Sequence, residues 1–121
     1  MEDQELVLRL ASMLYEKKAQ DIVVLKVSHM TVLCDYLVIA TGRTASQVSG
    51  LTDYVNEWMA GNGRVLRRSE GAGEGRWAVL DYNNILVHLF HREEREYYGL
   101  DRLWNDGSNL LDLPFDQSVR D

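Results

Sequence analysis

The stretch from residue 77 to residue 104 constrains the fold more strongly than any other part of the chain. Two mostly apolar runs, 77–82 and 85–90, flank the dipeptide Asn83-Asn84. Asparagine tolerates the positive φ angles that tight hairpin turns require, so this pattern predicts an antiparallel β-hairpin. A charged segment follows, and its early acids favour the positive end of a helix. The stretch therefore predicts a hairpin that leads directly into a helix.

Apolar periodicity predicts the remaining elements. Apolar residues recur at helical spacing over 4–18 and 44–60. Runs rich in β-branched residues predict strands over 21–27 and 36–40, and a further short strand is expected over 64–67. Together with the hairpin and its helix, the order is α-β-β-α-β-β-β-α. This order predicts an α/β fold of the α+β kind, in which helices pack on a five-stranded mixed sheet.

The lengths of the connections predict how the strands run. Residues 28–34 are too few for a parallel crossover, so the first two strands are expected to be antiparallel if they pair. The strand–helix–strand unit over 36–67 is expected to be a right-handed crossover between parallel strands. Three glycines within residues 69–75 predict a mobile loop. The last helix is expected to begin near Arg92 and to break at Gly99.

The distribution of charge narrows the class of partner. The chain of 121 residues suits one domain, and its formal net charge is −6. Residues 93–121 contain eight acids and three bases, so this segment carries most of the net charge. An acidic segment disfavours broad contact with phosphates, and we expect no sequence-specific nucleic-acid binding. It favours a basic partner, although a solvated acidic face that maintains solubility explains the same charge.

Three further observations bear on location and redox chemistry. No apolar run reaches the ~18 residues that a membrane span requires. The acidic start of the chain, residues 1–5, lacks the pattern of a secretory signal. Cys34 is the single cysteine, so no internal disulfide is expected, and the neighbouring Asp35 opposes thiolate formation. We therefore expect a cytoplasmic protein without membrane contact, in which the cysteine has a packing role.

Two patterns invite a chemical interpretation. His88, His91 and Glu93 are side chains of metal-ligating type, but residues three apart in a strand point to opposite faces. The turn over 41–44 precedes a helix and could hold phosphate, but it lacks the residues of a dinucleotide-binding fingerprint or a P-loop. The segment Thr44-Ala-Ser-Gln47 is typical of a capping box. An ordinary capped turn is therefore favoured, and we assign no catalytic residue, metal or cofactor.

Aromatic and acidic side chains alternate within residues 77–104. Tryptophan and tyrosine dominate the hot spots of protein interfaces, so this pattern favours a protein-binding patch. Burial of Trp77 and Trp104 in the core explains the pattern equally well. The tail that follows contains Leu110 and Phe115 among other apolar residues, and it is too apolar for a purely solvated segment. We expect it to dock on this domain or on another subunit.

Five segments resemble one known family in their order and spacing. They are Asp21-Ile-Val-Val-Leu, Asp35-Tyr-Leu-Val-Ile-Ala-Thr-Gly42, Trp77 to Asp81, Val87-His-Leu-Phe90, and Glu94-Arg-Glu-Tyr-Tyr-Gly-Leu-Asp-Arg-Leu-Trp104. The family is that of the ribosomal silencing factors, also called Iojap-like proteins. The resemblance covers about residues 4–107, so it implies a domain over 1–107 and a C-terminal tail over 108–121.

The resemblance implies both a fold and a function. The fold is related to nucleotidyltransferases but lacks their catalytic carboxylates, and the expected strand over 64–67 indeed contains no acid. The function is binding to the large ribosomal subunit through the ribosomal protein uL14. The bound factor blocks subunit joining sterically and represses translation under starvation or in stationary phase, without enzymatic activity. Family members often form homodimers when they are free.

The resemblance also implies a set of partner-binding residues. The positions carried over for contact with uL14 are Trp77, Asp81, His88, Glu94, Tyr97, Tyr98 and Leu103. The hairpin turn departs from the family, because Asn83-Asn84 stands where glycine and aspartate are usual. Two alternatives remain at this point: a vestigial nucleotidyltransferase-like enzyme that uses the 41–44 turn, and a binding protein that a nucleotide regulates.

Overall fold

The computed structural model of the protein describes residues 1–119. These residues form four α-helices and five strands, followed by a short 3-10 helix. Their bounds are α1 Asp3–Glu16, β1 Gln20–Lys26, β2 Tyr36–Gly42, α2 Ala45–Gly61, β3 Arg68–Glu70, β4 Trp77–Asp81, β5 Ile85–His91, α3 Arg92–Tyr98, α4 Leu100–Trp104 and the 3-10 helix Gln117–Val119. None of the helices in this range is both long enough and apolar enough to span a membrane.

The strands form one mixed sheet in the order β1-β2-β5-β4-β3. β2 and β5 are parallel, and the other neighbouring pairs are antiparallel, which confirms the predicted five-stranded mixed sheet. The predicted antiparallel pairing of the first two strands is also confirmed. The β4–β5 hairpin pairs Trp77 with Phe90 and Asp81 with Leu86. Asn83 has a φ of 76° in the turn, as its residue type predicted.

The prediction for the third strand was wrong in position. Residues 64–67 carry the chain from the end of α2 towards the far edge of the sheet, where β3 begins only at Arg68. Arg64 instead bridges to Asp3 of α1, with 2.7 Å between Nη1 and Oδ1. From the pairings, β3 runs parallel to β2 as expected, but β5 and β4 lie between them. β3 carries one acid, Glu70, rather than a pair of carboxylates one residue apart.

The sheet has two faces of different character. Alternation along β5 places Ile85, Val87 and Leu89 on the face that α1 and α2 cover, and these residues are fully buried there. Phe90 and residues of β1 and β2 point to the opposite face, where α3, α4 and the β1–β2 loop give partial cover. We call this second face the open face.

The tail packs on the same domain. Leu110 lies opposite Leu25 of β1 in an antiparallel bridge, and two backbone hydrogen bonds of 2.9 Å flank it. Further along, Phe115 stacks on Tyr15 of α1, with ring centroids 4.4 Å apart. Of the two docking sites that the sequence allowed, the structure therefore shows the one on this domain. The tail therefore covers part of the otherwise free edge of β1 and contacts α1.

The glycine-rich loop before β4 lies against the start of α2. Ser49 Oγ donates a 2.8 Å hydrogen bond to the carbonyl oxygen of Ala72. Gly75 is buried at a φ of 70°, and a Cβ there would lie 2.3 Å from the carbonyl oxygen of Ala45. This glycine therefore permits a close backbone approach as well as an unusual φ angle. The sequence predicted mobility for the loop, and the structure gives it specific contacts with α2.

Candidate partner-binding site

An aromatic cluster occupies the open face where β4 and β5 meet α3. The half-buried Trp77 ring stacks on Phe90 with 5.0 Å between centroids, and it lies 4.5 Å from the Tyr98 ring. Tyr97 meets Tyr98 edge-on at 5.0 Å. The hairpin thus contributes two rings and α3 contributes two. Each such pair adds about 1 kcal/mol beyond simple burial, so the cluster is a preformed and rigid surface.

His88 packs beside this cluster on β5 and is hydrogen-bonded to Trp77. Trp77 Nε1 donates a hydrogen bond to His88 Nδ1 at 3.1 Å. His88 is 9% exposed, and burial lowers its pKa to about 4. The imidazole is therefore neutral at physiological pH, with its proton on Nε2. Of the predicted contact residues, His88 is the most buried, and its position is that of a support for Trp77.

Ion pairs fix α3 to the sheet. Arg76 Nε donates to Glu94 Oε2 at 2.7 Å, and Arg76 Nη2 donates to Glu93 Oε2 at 3.0 Å. Arg95 is nearly buried and donates to Thr41 Oγ1 at 2.8 Å and to Asp101 Oδ1 at 3.3 Å. Glu94, a predicted contact residue, is thus already paired within the chain. Sequence reasoning missed Arg95, because nothing in a run of charged residues marks one of them as buried.

The same ion pairs bear on the metal interpretation. The ligand atoms of His91, Glu93 and Glu94 lie within 4.8 Å of one another, whereas His88 does not belong to this group. Arg76 already supplies positive charge to both carboxylates. His91 Nδ1 accepts a 3.3 Å hydrogen bond from the Glu93 backbone N–H. The arrangement fits an ion-pair network that orients α3 better than it fits a cation site.

Three of the predicted contact residues are well exposed. Tyr97 is 81% exposed and Leu103 is 73% exposed, and half of Tyr98 is accessible beside them. Gly99, at a φ of 56°, separates α3 from α4 as the sequence predicted. A break at this glycine changes the helix direction between the tyrosines and Leu103. These side chains extend the aromatic cluster outward, and they are free to contact a partner.

Asp81 lies at the other end of β4. Four residues separate it from Trp77, which corresponds to ~13 Å along a strand. Its Oδ1 accepts a 2.8 Å hydrogen bond from the Asn83 backbone N–H, so it shapes the hairpin turn. The structure therefore brings Trp77, His88 and the two tyrosines together but leaves Asp81 outside their cluster.

The β1–β2 loop adds an apolar region that sequence reasoning missed. Val32 is completely exposed and Leu33 is 76% exposed. Beneath this loop is a largely apolar cavity of about 200 Å³, whose walls include Leu86, His88 and Trp104. Two consecutive aliphatic residues in a short connection between strands were the available signal. The region is continuous with the open face and enlarges the surface available to a partner.

Two further predictions, the packing role of Cys34 and the capping box at the start of α2, agree with the structure. Cys34 is buried in the apolar cluster of the open face, and burial raises its pKa to about 11. A thiol in this state has a packing role. Thr44 Oγ1 accepts a 3.0 Å hydrogen bond from the Gln47 backbone N–H, which confirms the predicted helix cap. In the same capping arrangement, Gln47 Oε1 accepts a 2.7 Å hydrogen bond from the Arg43 backbone N–H.

The fold and this site define a class of protein. One sheet face is closed by two helices, and the other presents exposed tyrosine, leucine and valine side chains on a rigid base. This arrangement is typical of a small α+β domain that binds another macromolecule through a preformed surface.

Comparison with known proteins identifies the family. The family described as "Ribosomal silencing factor during starvation" matches residues 1–121, and the chain belongs to this family. The ribosomal silencing factor of Bacillus subtilis is 35% identical over 100 residues, which are 83% of this chain and 84% of that protein. A crystal structure of a Chromobacterium violaceum protein superposes with a TM-score of 0.81 at 30% identity and covers 98% of each chain. By family, the chain is a ribosome silencing factor that regulates translation.

A more distant relative is a mouse protein named "Mitochondrial assembly of ribosomal large subunit protein 1". It is 28% identical over 98 residues, which are 78% of this chain and 43% of the mouse protein.

Proposed function

We propose that this protein binds uL14 on the large ribosomal subunit through the open face and blocks subunit joining sterically. Translation then falls under starvation or in stationary phase. The observation that carries the proposal is the group of exposed side chains Tyr97, Tyr98 and Leu103 on the rigid aromatic cluster. In this mechanism the protein acts in the cytoplasm by occupying space, and it requires neither a catalytic group nor a cofactor.

Charge supports a basic protein as the partner. Glu93 and Glu96 are exposed on α3, on the same short helix as the two tyrosines. Arg76 offsets part of the charge on Glu93, whereas Glu96 has no ion pair among the residues that the structure describes. Complementary charge around an apolar centre accelerates association and excludes wrong partners. The name of the mouse relative, which mentions the ribosomal large subunit, supports the choice of subunit.

Co-sedimentation with purified large subunits tests the proposal. The unmutated protein should sediment with them, and the double variant Tyr97→Ala/Leu103→Ala should lose at least tenfold in affinity, because exposed anchors of this kind dominate interfaces. Tyr54→Ala is a matched control, since Tyr54 is a half-exposed tyrosine of α2, on the opposite side of the sheet. No sedimentation of the unmutated protein would reject the proposal. Equal losses in the control and the double variant would reject the open face as the site.

The proposal also covers the free protein, which we expect to form homodimers. Light scattering over a range of protein concentrations measures this directly. A purely monomeric protein at all concentrations would remove dimerisation from the proposal and leave ribosome binding intact.

A further inference from the structure

A polar cavity lies away from the aromatic cluster, at the carboxyl ends of the two adjacent parallel strands. It encloses about 290 Å³ between the start of β1, the end of β2, α3 and the tail. In sheets with parallel strands, ligands bind in the crevice beyond the carboxyl ends of those strands. The described residues that line it are Gln20, Asp21, Thr41, Arg92, Arg95, Glu96 and Gln117. All of them are polar or charged and none is aromatic, so the cavity offers mainly hydrogen-bonding groups to a ligand.

An irregularity in β1 brings two consecutive side chains into this cavity. In a regular strand, neighbours such as Gln20 and Asp21 point to opposite faces. Here the register of β1 against β2 shifts between Gln20 and Val23, and Asp21 has a φ of 48°. Bulges of this kind are common next to functional sites, where they redirect a side chain. Asp21 consequently lines the cavity together with its neighbour.

Two guanidinium groups of α3 face the same space. Arg92 contacts the side-chain oxygen of Gln20, and no carboxylate among the described residues pairs with it. Arg95 is held in place by Thr41 and by Asp101. Arg92 therefore has an amide as its hydrogen-bond partner, and its positive charge is not neutralised by contact. A phosphate bridging two guanidinium groups would gain charge-assisted hydrogen bonds.

The carboxylates of the cavity determine which other chemical groups a bound ligand should carry. Asp21 and Glu96 disfavour a bare phosphate, because they add negative charge to the cavity. Carboxylates are, however, good acceptors for sugar hydroxyl groups, as at the ribose sites of dinucleotide-binding proteins. Gln117 forms another wall of the cavity. Two hydrogen bonds to the backbone of Ile22, of 2.7 and 2.9 Å, hold its side chain in place.

We propose that this cavity binds a small phosphorylated sugar, with its phosphate on Arg92 and Arg95 and its hydroxyl groups on Asp21. The pairing of two arginines with acceptors for hydroxyl groups, in a cavity lined by polar and charged residues, selects this class. The cavity lies apart from the aromatic cluster and its test uses the purified protein alone, so the inference does not depend on ribosome binding.

Calorimetric titration of the purified protein with ribose 5-phosphate tests this inference. Ribose 5-phosphate should bind at least tenfold more tightly than ribose or inorganic phosphate, because each of these lacks one half of the contacts. Arg92→Gln should weaken binding about tenfold, whereas Arg102→Gln, an exposed arginine outside the cavity, should leave it unchanged. No binding at millimolar concentrations, or equal losses in both arginine variants, would overturn the proposal.

A second variant tests the sugar contact. Asp21→Asn keeps a residue type that accepts positive φ but removes the charge. It should weaken ribose 5-phosphate binding and leave inorganic phosphate binding equal or tighter. Unchanged binding of ribose 5-phosphate would overturn the assignment of Asp21. Tighter binding of a 5′-phosphorylated oligonucleotide than of ribose 5-phosphate would overturn the small-molecule class in favour of RNA.

Discussion

Trp77 Nε1 donates its hydrogen bond to His88 Nδ1 across the β4–β5 hairpin, at 3.1 Å. Phe90 is the direct cross-strand partner of Trp77, so His88 is its diagonal neighbour. The bond fixes the imidazole tautomer and the plane of the indole at once. The same indole lies against Tyr98, so the Trp77 ring connects the hairpin to α3. Two residues that the sequence marked as partner contacts therefore build the base on which the exposed tyrosines rest.

Trp77→Phe should separate the ring stacking of Trp77 from its hydrogen bond. The substitution keeps an aromatic ring against Phe90 but leaves His88 Nδ1 buried without a donor. An unsatisfied buried acceptor costs about 1–3 kcal/mol, so the free energy of unfolding in urea should fall by that amount. Val79→Ala, a half-buried site on the same strand, serves as a control for general loss of packing. An unchanged free energy for Trp77→Phe would show that the hydrogen bond contributes nothing.

Burial of His88 predicts a dependence of stability on pH. The folded-state pKa is about 4, and the ordinary value is 6.5, so the unfolded chain binds the proton first as the pH falls. Stability from this group is fully present above pH 6.5, is lost as the pH falls towards 4, and amounts to about 3 kcal/mol. In His88→Gln, urea denaturation between these pH values should lack this loss, because glutamine does not titrate. Its amide oxygen can still accept the hydrogen bond from Trp77. His29→Gln, at an exposed histidine, should retain it.

The hairpin shows how much of the fold local sequence determines. Alternation and Asn83-Asn84 predicted both strands and the turn, because hairpin contacts are close in sequence and turn chemistry is local. The third strand was misplaced, because three exposed residues, Arg68 to Glu70, have no apolar pattern and pair only at the edge. Their position depends on the path by which the chain crosses the sheet to reach β4. Local strand propensity does not determine that path.

The candidate site was predictable in composition but not in role. The sequence predicted which residues could form an interface, and the structure shows which of these side chains are exposed and which are packed within the chain. Tyr97 and Leu103 point outward, whereas His88 and Glu94 are engaged within the chain. Strand alternation alone could not make this division, since Trp77 and Asp81 share a face and have different surroundings. Tertiary cover from α3 and α4 decides which part of a sheet face is exposed.

Arg95 should be more important for stability than any other arginine of α3. Its guanidinium connects Thr41 of β2 to Asp101 of α4 from a nearly buried position. Arg95→Ala leaves these partners without a donor, and we expect a loss of about 2 kcal/mol in the free energy of unfolding. Arg95→Lys should not restore it, because an ammonium group cannot reproduce the planar fork that reaches both partners. Full stability in the lysine variant would reject the bridging role.

The tail should contribute to stability through one buried side chain. Asn109 is 6% exposed, and its Nδ2 donates to the carbonyl oxygens of Lys26 and Trp104, at 2.9 Å each. Its Oδ1 accepts from the Asp106 backbone N–H, also at 2.9 Å. Asn109→Ala removes all three bonds and leaves buried backbone groups unpaired, so we expect a loss of about 2 kcal/mol or more.

Urea denaturation measures this loss, and Asp112→Ala provides the control, because Asp112 is an exposed residue of the same tail segment. Hydrogen exchange adds a local readout at the Lys26 and Leu111 amides, which donate the two backbone bonds between β1 and the tail. If Asn109 anchors the tail, these two amides should exchange faster in Asn109→Ala while amides of β5 stay protected. Equal exchange in both variants would show that the apolar contacts of Leu111 and Phe115 hold the tail without Asn109. The edge of β1 would then be covered mainly by hydrophobic packing against α1.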